Sequence, residues 1–304
     1  MSKPFVKWAG GKTQLLSSLD NAIGKLREKS SQFIYVEPFV GGGSVLFHLL
    51  DTCANMKYAV INDANKELIN CYRVIADNDK YTKLKVELGR IQTEYNNDKM
   101  KEEKYKLYRF QYNHWLLGEC ELTDIQGAAI FMFLNKCGFN GLYRVNLKGE
   151  FNVPWGKKEY LKIFDEDELD KCHVLLNEKV VIMNGDYAIT DIASELGRIE
   201  KCDVIYYLDP PYKPISATAS FTSYTKDDFG DKDQERLKDF CDSIVDRGGN
   251  FVLSNSKCGD YFDNLYKDYD IEIVNAKRNI NSVGSKRGDV EEIIITSHGN
   301  RKNG

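Results

Sequence analysis

The sequence has no C-x-x-C pair, only four histidines and no apolar run near the length of a membrane span. Its cysteines stand singly at 53, 71, 120, 137, 172, 202, 241 and 258. That spacing argues against a zinc site or a disulfide framework, and free thiols suit a reducing compartment. No signal-peptide core follows Met1-Ser-Lys-Pro, so the expectation is a cytoplasmic protein without membrane or metal partners. Positive charge is not in excess either. The chain has 42 Lys+Arg against 46 Asp+Glu, a net charge of −4. A general nucleic-acid binder is therefore disfavoured unless basic residues gather locally. What is present is an ordinary soluble composition, 42% hydrophobic and 29% charged. At 304 residues there is room for one large α/β domain and a modest insertion.

The stretch around which the chain is organised is Asp209-Pro-Pro-Tyr212. It follows Asp203-Val-Ile-Tyr-Tyr-Leu208, whose β-branched and aromatic run predicts a buried strand. Two consecutive prolines cannot donate to a sheet ladder, so the strand stops there. Asp209, Pro210, Pro211 and Tyr212 are thereby set at a carboxyl sheet edge, where α/β folds place ligands. The chemistry suits a planar amine. Asp209 and the Pro210 carbonyl accept hydrogen bonds from an exocyclic NH2, while Tyr212 stacks on the attached ring. The competing reading is a strand-ending turn with a capping aspartate.

Upstream, Phe33-Ile-Tyr-Val36 predicts a strand running into Glu37-Pro-Phe-Val-Gly-Gly-Gly-Ser44 and a helix. A second strand, Tyr58-Ala-Val-Ile61, ends at Asn62-Asp63. A glycine loop followed about 20 residues later by a strand-end acid suits an adenosine-containing cofactor, with Asp63 on ribose hydroxyls. Alternatively, Asp63 is only the cap of a helix over 65–76. Gly11-Lys12-Thr13 resembles the end of a phosphate-binding loop, but Val6 stands where that loop needs glycine.

From about 77 to 115 the chain predicts two long charged helices, then a more apolar helix over 123–137. Two short runs around 146–149 predict a β-hairpin exposing Arg144 and Lys148. This interruption makes 66–158 an inserted domain, with 1–65 and 159–304 forming the other. Its aromatics, asparagines and basic residues suit base stacking and groove readout, or else pack as an ordinary hairpin. Strands and helices then alternate again, with Asp186 as another strand-end acid and a helix expected from Ala188 to Leu196. Segments 213–224 and 277–287 predict a Ser/Thr/Ala loop and a basic connection. An NAD-binding dehydrogenase, a protein or RNA N-methyltransferase and a silent DNA-binding module all remain open on these features.

In order and spacing the pieces together resemble the Dam-type (D12 class) DNA adenine-N6 methyltransferases. They are Val6-Lys-Trp-Ala-Gly-Gly-Lys12, Glu37–Ser44, Asn62–Asn65, Leu134-Asn135, Gly138-Phe-Asn-Gly-Leu142, Gly149–Pro154, Asp209–Tyr212 and Ser216-Ala-Thr-Ala219. The resemblance implies a Rossmann-like α/β sheet that uses S-adenosyl-L-methionine, with an inserted helical and β-hairpin target-recognition domain. It implies cofactor contacts from Trp8, Lys12, Phe39, Gly41, Gly43, Asp63, Asp186 and Asp209. Asp209, Pro210, Pro211 and Tyr212 would handle a flipped adenine in double-stranded DNA. Lys7, Phe139, Asn140, Leu142, Arg144 and Pro154 would read the flanking bases, and family members sharing them read GATC.

Overall fold

Five apolar runs form the parallel part of a seven-stranded sheet: β1 (Phe33–Glu37), β2 (Met56–Ile61), β3 (Val180–Ile182), β4 (Asp203–Leu208) and β5 (Asn250–Ser256). The structure, a computed structural model, describes residues 2–27, 31–213, 229–277 and 289–298. Two further strands, β6 (Asp270–Lys277) and β7 (Asp289–Thr296), complete the sheet in the order β3-β2-β1-β4-β5-β7-β6. Strand β7 runs antiparallel to both its neighbours. Every residue of β1 and β5 is buried, as expected for parallel strands covered on both faces. The strand period of two divides β1 between two cores, with Phe33 and Tyr35 facing one and Ile34 and Val36 the other.

The helices are α1 (Leu16–Lys25), α2 (Ser44–Thr52), α3 (Lys66–Ala76), α4 (Asn78–Asn97), α5 (Lys101–Leu116), α6 (Asp124–Cys137), α7 (Glu166–Lys179), α8 (Ile192–Glu200), α9 (Asp231–Asp246) and α10 (Tyr261–Leu265). Several start where a side chain satisfies an orphan amide. Asn65 accepts from Leu68 N at 2.8 Å and Asp77 from Lys80 N at 2.9 Å. Thr123 and Gln126 form a capping box on α6. The cap of α3 is therefore Asn65, not Asp63.

Helices α8, α9 and α10 cover the core that holds Ile34, Val36 and Leu208. The other core begins at the sheet with Phe33 and Tyr35 and runs without a break into the insertion. It takes in Tyr72 of α3, Tyr95 of α4, Tyr105 and Tyr112 of α5, and Phe131 and Phe133 of α6. The insertion thus sits on the sheet through shared side chains.

Two local expectations need correction. Residues around 146–149 do double back, with Asn146 N bonded to Glu150 O at 2.9 Å. Yet the bridges across it are isolated ones, Val145 to Phe151 and, farther out, Gly138 to Trp155, so the segment is a short antiparallel turn and not a laddered hairpin. The helix expected from Ala188 instead opens as a 3-10 turn, Tyr187–Asp191, before α8 begins. Asp186 caps that turn by accepting from Ala188 N at 3.0 Å. The expected loop over 213–224 and the basic connection over 277–287 fall almost wholly outside the described residues, as does Ser216-Ala-Thr-Ala219.

Candidate active site

Because β1 to β5 are parallel, their carboxyl ends meet at one edge, and β1 lies between β2 and β4 at the switch in strand order. Glu37, Asn62-Asp63, Asn184–Asp186 and Asp209 follow those ends and are laced together. Val40 N donates to Asn62 O at 2.9 Å, and Asn62 Nδ2 reaches both Pro38 O and Gly185 O at 3.0 Å. Asn184 Nδ2 donates to Asp63 O at 2.8 Å. The Asp63 carboxylate accepts Gly41 N at 3.0 Å and Asn65 N at 2.9 Å. It therefore holds the glycine loop in place, while burial raises its pKa against those two bonds. Phe39 is half-buried, 5.3 Å from Tyr187 and 6.2 Å from Phe229 between ring centroids. Asp186 lies more exposed, and Arg236 takes both its oxygens at 2.7 and 2.8 Å.

The Asp209 side chain points at a buried cation. Lys12 Nζ is 2.9 Å from Asp209 Oδ1, donates to Gly10 O at 2.7 Å and stands 4.6 Å over the Tyr212 ring. Burial still keeps Asp209 above the usual carboxylate range, with Lys12 pulling the other way. Burial pushes Glu37 much further up, and Tyr35 Oη donates to its Oε2 at 2.9 Å. Burial thus disfavours charge on both carboxyls, and at Asp209 the adjacent Lys12 cation works against it.

The turn after Asp209 is braced by residues that the sequence pattern did not single out. Tyr212 Oη donates to Glu292 Oε2 at 2.8 Å, and burial raises that phenol well above its ordinary pKa. Gln234 Nε2 reaches Pro211 O at 3.3 Å, and Asn255 Oδ1 accepts Lys213 N at 3.1 Å. Ser256 Oγ donates to Lys213 O at 2.6 Å. Both Gln234 and Asn255 are fully buried. The polar Ser254-Asn-Ser256 end of an otherwise apolar strand was the available signal.

The remaining expected residues gather beside this edge. Trp8 covers Gly41 and Gly42 and stacks toward Tyr143 and Phe131 at 5.6 and 6.3 Å. Lys7, Phe139, Asn140, Arg144 and Pro154 are exposed, and Leu142 is half-buried. Phe139 N donates to Pro154 O at 2.9 Å, which pins the 139–142 turn against the 149–154 segment. Arg144 Nε donates to Asn152 Oδ1 at 2.7 Å, fixing its guanidinium on the exposed turn. Among the described residues no three His, Cys, Asp or Glu side chains are placed to hold a metal ion. Among them, too, no helix is long and apolar enough to cross a membrane.

Sheet order and site define a Rossmann-like α/β methyltransferase. The chain belongs to the D12 class N6 adenine-specific DNA methyltransferases, whose family model matches residues 8–280. It is 42% identical to the type II methyltransferase M.MjaIII of Methanocaldococcus jannaschii, over 97% of this chain and 99% of that protein. It is 36% identical to M1.LlaDCHI of Lactococcus lactis subsp. cremoris, over 98% and 96%. The DNA adenine methylase of Escherichia coli K12 is 32% identical, over 96% and 94%. The protein is a DNA adenine-N6 methyltransferase, and its family's activity implies a methyl donor.

Proposed function

We propose that the enzyme methylates the adenine of GATC in double-stranded DNA, using S-adenosyl-L-methionine and a base extruded from the duplex. The observation that carries this reading is the Lys12–Asp209 pair with Tyr212, set beside the Gly41–Asp63 cradle. The cradle's donors suit the cofactor. The half-buried Asp63 carboxylate, a backbone held by glycines and the half-buried ring of Phe39 match hydroxyls, a close-lying chain and a purine. Trp8, Lys12, Phe39, Gly41, Gly43, Asp63, Asp186 and Asp209 are the residues that would hold it. When bound, S-adenosyl-L-methionine supplies an electrophilic methyl group on a sulfonium.

Chemistry on a base requires the base to leave the stack. Asp209 and the Pro210 carbonyl then accept the two N6 hydrogens, drawing the nitrogen lone pair out of ring conjugation. Tyr212, held by Glu292, stacks on the purine, and Pro211 stiffens the turn. Such alignment of reactants removes roughly 7–11 kcal/mol of barrier. Asp209, or water beside it, takes the proton that N6 loses. Residues 66–158 serve as the recognition domain, with 1–65 and 159–304 as the catalytic one.

The GATC assignment rests on the resemblance at Lys7, Phe139-Asn-Gly-Leu142, Arg144 and Pro154. Arginine pairs with guanine O6 and N7, and apolar Leu142 and Pro154 suit a thymine methyl. Phe139 can wedge into the stack beside the extruded base. Methylation of a mixed-sequence duplex library, followed by mapping of modified adenines, tests the target. Modification at another motif would refute it. Arg144→Ala should relax one outer base pair by about 1–3 kcal/mol of discrimination. Equal loss on all sequences would make Arg144 a phosphate contact instead.

A further inference from the structure

Asn135, near the end of α6, is buried to 1% exposure and directs its whole amide at two other segments. Its Oδ1 accepts Lys7 N at 2.9 Å, and its Nδ2 donates to Lys7 O at 2.8 Å and to Gly141 O at 3.0 Å. One side chain therefore ties the N-terminal segment to the 139–142 turn. The Lys7 side chain also packs directly on the Gly141 backbone. Gly141 has φ +67°, and a Cβ there would fall 2.6 Å from Lys7 Cδ and 2.8 Å from Lys7 Cβ. On the far side of the turn, Phe139 N is bonded to Pro154 O. Past the tie, Trp8 lies between Gly41 and Tyr143, and Lys12 meets Asp209. The short segment 7–12 thus runs from the recognition turn to the catalytic carboxylate.

We propose that Asn135 is a positioning residue for base discrimination: it joins Lys7 and the 139–142 turn into one unit, so that a wrong base displaces the segment carrying Lys12. This rests on the reading that Lys7 and the turn face the target bases. A buried amide that satisfies three backbone groups leaves them unpaired when removed, so the segments part. Discrimination then falls chiefly in kcat, because the shift is felt at Lys12 and Asp209, while non-specific phosphate contacts keep DNA affinity.

The test is a double-mutant cycle of Asn135→Ala and Gly141→Ala. It reads kcat and KM on GATC and on a duplex altered at one outer base pair, with DNA Kd and the melting temperature in parallel. Each single variant should lower the cognate to near-cognate ratio about tenfold, within what one lost base contact gives. Together they should cost no more than about tenfold, because both open the same joint. Equal losses on both duplexes, or losses that multiply, would overturn the proposal and leave Asn135 a packing residue. Should Asn135→Ala fail to fold, Asn135→Asp runs the same cycle, since it retains the acceptor for Lys7 N and removes both donors. Lys7→Ala separates the two claims. If it leaves discrimination intact while the cycle is non-additive, the reading of Lys7 fails and the joint stands. If it relaxes discrimination while the cycle is additive, the joint fails and the reading stands.

Discussion

Two carboxyl groups at the same sheet edge differ in what opposes their burial, a phenol at Glu37 and a cation at Asp209. Deep burial raises the pKa of Glu37 well above the ordinary value, against the lowering effect of the hydrogen bond from Tyr35. The sign of its effect on stability follows. A folded pKa above the unfolded value means the folded state binds the extra proton, so this contribution is full below about pH 4.3 and is lost as pH rises toward the folded pKa. Within that window each pH unit costs about 1.4 kcal/mol. Glu37→Gln, which keeps the shape without the titration, should be relatively more stable than the parent as pH increases from 5 to 8. Denaturant melts across that range check it, and a constant difference would mean Glu37 is ionised throughout. In the proposed step Asp209 works as the carboxylate that accepts from N6, and burial raises its pKa with Lys12 opposing. The acid limb of kcat/KM should therefore lie above the ordinary aspartate value of about 3.9. A limb at or below that value would mean Lys12 outweighs burial, and Asp209→Ala should abolish turnover in a folded protein.

At the scale of elements, Gly43 begins α2 in the left-handed region, φ +76°, and a Cβ there would fall 2.5 Å from Tyr72 Oη. Tyr72 Oη in turn donates to Gly41 O at 3.0 Å, so the glycine loop is seated on α3 through that phenol. Gly43→Ala should cost about 1–2 kcal/mol from backbone conformation alone. It should also weaken S-adenosyl-L-methionine binding by displacing Tyr72, and calorimetric titration beside a thermal melt reads both. Unchanged affinity in a destabilised variant would confine Gly43 to the fold. The strands were legible because parallel, twice-covered strands leave long apolar runs, and the acids at their ends followed. Asn135, Gln234, Asn255 and Glu292 were not legible as supports. Lys7 lies 128 residues from Asn135, and the partners of the other three lie 23, 42 and 80 residues away, distances at which no local pattern speaks. The hairpin was overread as a ladder because alternation near 146–149 cannot show that its arms meet only at isolated bridges, Val145 to Phe151 and Gly138 to Trp155.

For the whole molecule the difficulty is charge, since a DNA enzyme here carries a net −4. The structure places Lys7, Arg144, Lys148, Lys157 and Lys158 all in exposed positions on the N-terminal segment and the 144–158 stretch. The Phe139–Pro154 bond and the Asn135 bridge bring those two regions together. If Lys7 and Arg144 read bases, three cations remain for phosphates, and if they do not, five do. Each neutralised phosphate contributes about −0.9 to the slope of log affinity against log salt, giving roughly −2.7 to −4.5. Between 50 and 200 mM salt the affinity for duplex DNA should thus fall roughly 40- to 500-fold. Fluorescence anisotropy over that range measures it. Lys157→Ala with Lys158→Ala should reduce the slope by about 1.8 while leaving base discrimination as it was. A flat salt dependence would mean these five cations do not share a face toward DNA, and the acidic total would then govern binding.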